Sequence, residues 1–181
     1  MKTEALERYL NSFANQVVKE ARGILQKDKG ETSVGKSIRF EVVPDALGYS
    51  TKFYMQDYGE YLDKGVSGNK NEQSYINTAG ETVKSPYKYT TKGPPIDILS
   101  KWIKRKGIKP KGLGRGRDKK TGQFVSGFAY LISRKIKREG IKSLSFFQKP
   151  LGIEYKKLKK GFLTELKLDI ESYLTTYYRP K

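Results

Sequence analysis

The first 27 residues carry an apolar side chain at every third or fourth position, and this stripe constrains the fold more than any other feature. Its members are Leu6, Leu10, Phe13, Val17, Ala21 and Ile24. The spacing predicts an amphipathic helix from Thr3 to about Lys27, with Thr3 as the N-cap and Gly30 as the stop.

From Ser37 the apolar period changes from helical spacing to two. Ile38, Phe40 and Val42 alternate with other residues, then comes "PDALG", and then Tyr49, Thr51, Phe53 and Met55 alternate again. This pattern predicts a β-hairpin with a five-residue turn. A lone hairpin is marginal in water, so the first helix, further strands or a neighbouring subunit must cover its apolar face.

Three more helical patterns follow, separated by long polar or irregular stretches. The helices are predicted from Pro95 ("PIDILSKWIKRKG"), from Phe124 to near Gly140, and from about Lys157 to Tyr177, while "IKSLSFFQKPLGIEY" reads as extended or irregular. Residues 66–95 form a polar loop and residues 107–122 a basic, glycine-rich mobile loop. We expect one α+β domain over 1–181, with the N-terminal helix packed on a small antiparallel sheet, further helices and long extended loops.

Composition excludes several kinds of chemistry. The chain has neither cysteine nor histidine, which removes disulfides, zinc sites of the usual kind and Ser-His or Cys-His nucleophiles. A nuclease that uses clustered carboxylates and a metal would suit a basic chain, but Glu154-Tyr155-Lys156 and Glu165-Leu166-Lys167 lie far from the hairpin and within or beside a predicted helix. We therefore expect no enzyme, no catalytic residue, no metal and no cofactor.

The net charge of +18 is distributed unevenly along the chain. Residues 1–100 hold 14 basic and 13 acidic residues, whereas residues 101–181 hold 23 and 6. This asymmetry favours a polyanionic partner, with nucleic acid first, an acidic protein surface second and an anionic membrane third. A solvated basic face without a partner is the alternative. No apolar run approaches the roughly 20 residues that span a bilayer, and "MKTEALERYL" lacks the apolar core of a signal peptide, so we expect a cytoplasmic protein without a membrane role.

The densest basic segment has nine positive residues among seventeen. They are the candidate nucleic-acid contacts: Lys104, Arg105, Lys106, Lys109, Lys111, Arg115, Arg117, Lys119 and Lys120. The spacing of "GLGRGRDKKTG" does not match a phosphate-binding Walker loop. Direct phosphate contact and a flexible loop that docks on an acidic neighbour, or on nothing, both remain open.

Two short segments carry a resemblance to a known family. "YGEYLDKG", residues 58–65, resembles a tyrosine-rich turn in the tail-completion or neck proteins of tailed bacteriophages, which ends in Leu, an acid, one residue and Gly. "FFQKPLG", residues 146–152, stands where that family has a segment resembling Arg-Pro-Phe-Leu before its last helix. The order of elements and the segments "PPIDILSKWIKRKGI" and "FAYLISRKIKREGIKS" look like the longer members from phages related to the crAss-like group.

The resemblance implies a structural role without catalysis. Copies of the chain would form a hexameric or dodecameric ring between portal and tail, touching other neck, portal or tail proteins and packaged DNA, in a virion assembled in the bacterial cytoplasm. The alternative function is a non-catalytic nucleic-acid-binding protein that uses the basic second half.

The two segments also supply the candidate subunit-interface residues. These are Tyr58, Tyr61, Leu62, Gly65, Phe146, Phe147 and Pro150. In this hypothesis Tyr58, Tyr61 and Leu62 pack the turn onto the sheet, and Gly65 releases the chain into an arm that a neighbour orders. An ordinary turn packed within its own monomer is the alternative.

Overall fold

The protein has an α+β fold of helices and two-stranded antiparallel sheets. The structure is a computed structural model that describes residues 4–45, 48–108, 115–117 and 124–177, with only the backbone described at 115–117, 124–126 and 176–177. The helices are α1 (Glu4–Lys29), α2 (Ser33–Ser37), α3 (Tyr58–Lys64), α4 (Ile96–Arg105), α5 (Gly127–Glu139) and α6 (Gln148–Tyr177). The strands are β1 (Arg39–Asp45), β2 (Gly48–Tyr54), β3 (Val66–Ser67), β4 (Ser74–Ile76), β5 (Thr82–Lys84), β6 (Arg115–Arg117), β7 (Phe124–Ser126) and β8 (Gly140–Ile141). The sheets pair β1 with β2, β3 with β8, β4 with β5 and β6 with β7.

Helix α1 confirms the prediction from the apolar stripe. Its buried residues are Leu6, Leu10, Ala14, Val17, Val18, Ala21 and Leu25. Gly30 ends the helix at φ +71°, and its N–H donates to the carbonyl of Gln26 at 3.0 Å, as expected of a left-handed C-terminal cap. The predicted N-cap, Thr3, lies outside the described residues.

The hairpin is confirmed, but its predicted five-residue turn is wrong. Pairing continues past Pro44↔Tyr49 to Asp45↔Gly48, so only residues 46 and 47 separate the strands. Pro44 is tolerated in β1 because a two-stranded sheet consists of edge strands, where a missing N–H need not break a ladder.

One apolar core holds α1, the hairpin and the start of α6 together. It is built from Val17, Val18, Ala21, Leu25, Val34, Ile38, Leu62, Phe146 and Phe147. Phe53 of β2 packs against this core, with its ring centroid 6.3 Å from Phe13, 6.4 Å from Phe40 and 5.4 Å from Phe147. The alternation that predicted the strands therefore also predicted which face of the hairpin is covered.

Helix α6 begins nine residues earlier than the sequence pattern predicted. The segment "QKPLGIEY", expected to be irregular, forms its first two turns. Pro150 is compatible with this start because the first N–H groups of a helix have no partner within the helix.

A carboxylate from α6 also caps α1. The Asp169 side chain, which is buried, accepts hydrogen bonds from the N–H of Ala5 at 3.0 Å and of Leu6 at 2.9 Å. Further along the same contact, the hydroxyl of Tyr9 donates to the carbonyl of Leu158 at 3.3 Å. The two long helices therefore run antiparallel, and the last turns of α6 extend beyond the described start of α1.

The chain divides into two compact units. Unit 1 comprises residues 1–63, 76–83 and 144–181, and unit 2 comprises residues 64–75 and 84–143. The predicted polar loop 66–95 contains β3, β4 and β5, with a bridge between Ser67 and Lys88. It is thus more ordered than expected, because hydrogen bonds between distant segments replace the apolar period that the sequence lacks.

Two further predictions within unit 2 need correction. Phe124 was expected to start a helix, but residues 124–126 form β7 and α5 begins at Gly127. The segment 107–122 was expected to be a mobile loop, yet Arg115–Arg117 forms β6, which pairs with β7 in the register Arg115↔Ser126 to Arg117↔Phe124. Short antiparallel pairs of this kind have too few residues for a period to show in the sequence.

Candidate assembly and nucleic-acid surfaces

The two segments that carry the family resemblance meet in space. The backbone N–H of Leu144 donates to the carbonyl of Leu62 at 3.0 Å, and that of Ser145 to the carbonyl of Asp63 at 3.0 Å. The buried carboxylate of Asp63 then accepts from the N–H of Phe147 at 2.7 Å. The acid of "YGEYLDKG" therefore caps the helix that "FFQKPLG" begins.

The apolar residues of these segments divide into a buried set and an exposed set. Leu62, Phe146, Phe147 and Pro150 are buried within the chain. Their burial agrees with the alternative reading of a turn packed in its own monomer, because side chains that fill the core offer no surface to a neighbour. We therefore assign these four residues to folding.

The tyrosines of α3 have a different position. Tyr58 is 54% exposed and Tyr61 40% exposed, with their rings 6.5 Å apart. The prediction that they pack onto the sheet beside Leu62 was wrong, because α3 turns only one narrow face inward. Of the candidate interface residues, these two keep an accessible aromatic surface.

Gly65 follows α3 at a point where no other residue fits without strain. Its φ is +72°, and a Cβ there would lie 2.8 Å from the N of Ser143 and 2.9 Å from the carbonyl oxygen of Ile141. Its carbonyl also accepts a hydrogen bond from the Ser85 hydroxyl at 2.7 Å. The glycine therefore serves close backbone packing within unit 2.

An apolar groove of about 990 Å³ runs along unit 1 between α1, β2 and α6. Its apolar and aromatic lining is Leu6, Leu10, Phe13, Tyr49, Phe53, Leu151, Tyr155, Leu158, Phe162 and Leu166. Two lysines lie at its edge: the Lys159 ammonium is 4.8 Å from the centroid of the Tyr155 ring, and the Lys156 ammonium is 3.4 Å from the carbonyl oxygen of Ala79.

The apolar lining continues onto the distal half of α6 as an exposed stripe. We call Leu163, Leu166, Ile170 and Tyr173 the distal stripe, because their spacing of three, four and three places them on one helical face. Leu163 is 72% exposed, Ile170 42% and Tyr173 40%. Spacing of this kind is typical of helices that pack against another helix.

Lys157 lies between the groove and α1 in an ion pair with a buried acid. Its ammonium is 2.5 Å from the carboxylate of Glu154, whose side chain is 8% exposed. The hydrogen bond from Glu154 raises the pKa of Lys157. This pairing explains how a glutamate can be buried at the start of α6.

The nine predicted nucleic-acid contacts are only partly covered by the described residues. Lys104, Arg105 and Lys106 are exposed at the end of α4, where cations also favour the helix C-terminus. Arg115 and Arg117 belong to β6, whose backbone alone is described. The other four, Lys109, Lys111, Lys119 and Lys120, lie outside the described residues.

The division into units locates the charge more sharply than the division into halves. Unit 2 contains 20 basic and 4 acidic residues, a net charge of +16, whereas unit 1 contains 17 and 15, a net charge of +2. A second basic cluster in unit 2, on α5 and beside Lys70, was missed from the sequence. The segment "SRKIKRE" held the signal, since Arg134 and Arg138 are four residues apart and share a helical face.

Searches for other sites and for related proteins add few constraints. Within the described ranges, no group of three or more acidic side chains is arranged to hold a metal ion. None of the described helices is both long and apolar enough to cross a membrane. Comparison with protein-family models, curated proteins and solved structures found no match to this chain.

Proposed function

We propose that this chain is a structural protein of the neck or tail of a tailed bacteriophage, where copies form a ring that joins the portal and head to the tail. The distal stripe carries the proposal, because it is an apolar helical face without cover among the described residues. The resemblance of "YGEYLDKG" and "FFQKPLG" to neck proteins supports it, and the Asp63 contact shows that the two segments work as one structural unit.

A ring requires two different surfaces that fit each other on adjacent copies. In unit 1 the distal stripe is a convex apolar surface and the groove is a concave one. Docking the stripe of one copy into the groove of the next would cover both. Leu163 and Ile170 would then enter a groove that Phe13, Phe53 and Tyr155 line.

Charge favours a second copy as the occupant of the groove. Residues 156–160 include four lysines, of which Lys156 and Lys159 lie at the groove edge. The distal part of α6 carries Glu165 and Glu171 beside the stripe, with Lys167 as its one base. An acidic helix end and a basic groove edge therefore face each other in this arrangement, which favours head-to-tail over head-to-head contact.

The test is the mass of the purified protein by light scattering across a concentration series. The wild type is expected to form a closed species of six or twelve copies, and Leu163→Gln with Ile170→Gln to remain monomeric. The matched control is Ile153→Gln with Leu168→Gln, which removes two exposed apolar residues from other faces of the same helix. A ring that survives the stripe variant would assign assembly to another surface, and a wild type that stays monomeric at every concentration would contradict intrinsic ring formation.

The second candidate function is binding of nucleic acid without catalysis. The observation that favours it is the concentration of net charge, +16, in unit 2. Such a field attracts a polyanion at long range and gives an affinity that falls steeply with salt. Tight, salt-dependent binding of DNA by a monomer would favour this function over the ring.

A further inference from the structure

We propose that unit 2 binds the phosphate backbone of DNA in a cleft between the loop 68–71 and helix α5, which we call the α5 cleft. This assignment rests on the second candidate function and does not depend on ring formation. The cleft has a volume of about 550 Å³, and its cationic lining is Lys70, Arg134, Lys135, Lys137 and Arg138. It lies apart in sequence from the basic segment 104–120.

The loop side of the cleft is fixed by backbone hydrogen bonds. The N–H of Asn69 donates to the carbonyl of Lys137 at 3.0 Å, and the N–H of Lys70 to the carbonyl of Arg138 at 3.0 Å. Gly68 allows this approach, because a Cβ there would collide with the carbonyl of Arg138. Lys70 is therefore held beside α5 before any ligand arrives, which lowers the entropy cost of binding.

The same hydrogen bonds remove an obstacle to anion binding. The C-terminal end of a helix carries partial negative charge on carbonyls that have no partner within the helix, and this charge repels phosphate. In α5 the carbonyls of Lys137 and Arg138 are occupied by N–H groups of the loop. The cations at this end can then act on a ligand as well as on the helix.

One carboxylate lies among these cations, and it neutralises only part of their charge. Glu139 pairs with Arg138 at 2.7 Å and approaches Lys135 at 3.9 Å. The hydrogen bond from Arg138 lowers the pKa of Glu139, so this acid stays ionised at neutral pH. Lys137 donates to the carbonyl of Thr91 at 2.7 Å. Within the described part of the chain, Lys70 and Arg134 form no ion pair, and both side chains are exposed.

The chemistry of the lining favours phosphate contact over base recognition. Of the residues that line the cleft, Leu131 is the one large apolar side chain, and none is aromatic. Base recognition in single strands uses aromatic rings for stacking, whereas backbone binding needs cations spaced along a surface. Arg134 and Arg138, one helical turn apart, provide such spacing.

The experiment measures binding of a short fluorescent DNA duplex by anisotropy over a range of salt concentrations. Lys70→Gln, Arg134→Gln and Arg138→Gln together are expected to weaken binding at least about tenfold and to lower the salt slope by about one unit per cation removed. The matched control, Lys104→Gln, Arg105→Gln and Lys106→Gln, removes three exposed cations of the same unit and is expected to have a smaller effect.

Additional arms keep the outcome interpretable. Arg134→Lys with Arg138→Lys retains the charge and is expected to bind nearly as wild type, which separates charge loss from misfolding of α5. An equal loss in both glutamine variants, or a larger loss in the α4 variant, would overturn the α5 cleft while leaving DNA binding in place. Wild type that binds no DNA would overturn both. Competition by polyglutamate as effective as that by DNA, at equal charge, would assign the cleft to an acidic protein instead.

Discussion

The carboxylate of Asp63 accepts a 2.7 Å hydrogen bond from the backbone N–H of Phe147, a residue 84 positions later in the chain. It also lies 3.4 Å from the N of Gln148, the first residue of α6. Both partners lie beside the core that Leu62, Phe146 and Phe147 share. One side chain therefore sets where a 30-residue helix starts and holds two distant segments together.

Asp63→Ala is expected to destabilise the protein by about 1 to 3 kcal/mol, because it removes a helix cap and leaves a buried N–H without its acceptor. Urea unfolding followed by circular dichroism measures the change. Asp63→Asn, which keeps an acceptor oxygen, is expected to recover part of the loss. Equal stability of wild type and Asp63→Ala would mean that the cap contributes nothing.

Phe53→Ala is expected to cost roughly 2 to 4 kcal/mol, since it leaves a cavity between the rings of Phe13, Phe40 and Phe147. The control is Tyr54→Ala on the opposite face of β2, where the side chain is 38% exposed and the loss should be smaller. Thermal unfolding of both variants under one condition gives the comparison. A larger shift for Tyr54→Ala would place the covered face of the hairpin on the other side.

Gly65→Ala is expected to be more destabilising than Gly30→Ala. Both glycines have a φ near +70°, so both variants suffer the backbone strain of about 1 kcal/mol that a Cβ adds in the left-handed region. Only at Gly65 does the added Cβ also meet backbone atoms of Ser143 and Ile141. Equal unfolding free energies for the two variants would show that the space around Gly65 can relax.

Tyr58→Ser with Tyr61→Ser is expected to leave the free energy of unfolding nearly unchanged, because both rings are largely exposed, and to reduce assembly if α3 contributes to subunit contact. Leu62→Ala is expected to behave in the opposite way, with reduced stability of the monomer. Light scattering and urea unfolding of the same samples separate the effects. Unchanged assembly in the tyrosine variant would remove α3 from the interface.

The exposed pair Glu72 and Lys84 predicts a pH effect of known sign. Their side chains are 2.7 Å apart, and the hydrogen bond from Lys84 lowers the pKa of Glu72, while that from Glu72 raises the pKa of Lys84. The stabilisation is thus present between the ordinary pKa values of the two groups, is lost as pH falls through the lowered pKa of Glu72, and is lost as pH rises through the raised pKa of Lys84. NMR titration should show the Glu72 pKa return towards its ordinary value in Lys84→Gln; an unchanged titration would rule out the pairing in solution.

The first helix and the hairpin could be predicted from the sequence, whereas the start of α6 could not. The period of α1 is a local property of 26 residues, and the alternation in β1 and β2 spans adjacent strands. The start of α6 depends on Asp63, which is distant in sequence. Local propensity at "SFFQKPLG" favours a turn, and the cap overrides it.

The candidate sites divide in the same way. The sequence by itself determined that the chain is strongly basic, lacks His and Cys, and carries an amphipathic first helix, because these are properties of composition and short-range period. Only the tertiary structure decided that Leu62 and Phe146 are core while Tyr58 and Tyr61 are surface, that Asp169 caps α1, and that Lys70 lies beside Arg134. Each of these depends on contacts between residues far apart in the chain, which no local pattern encodes.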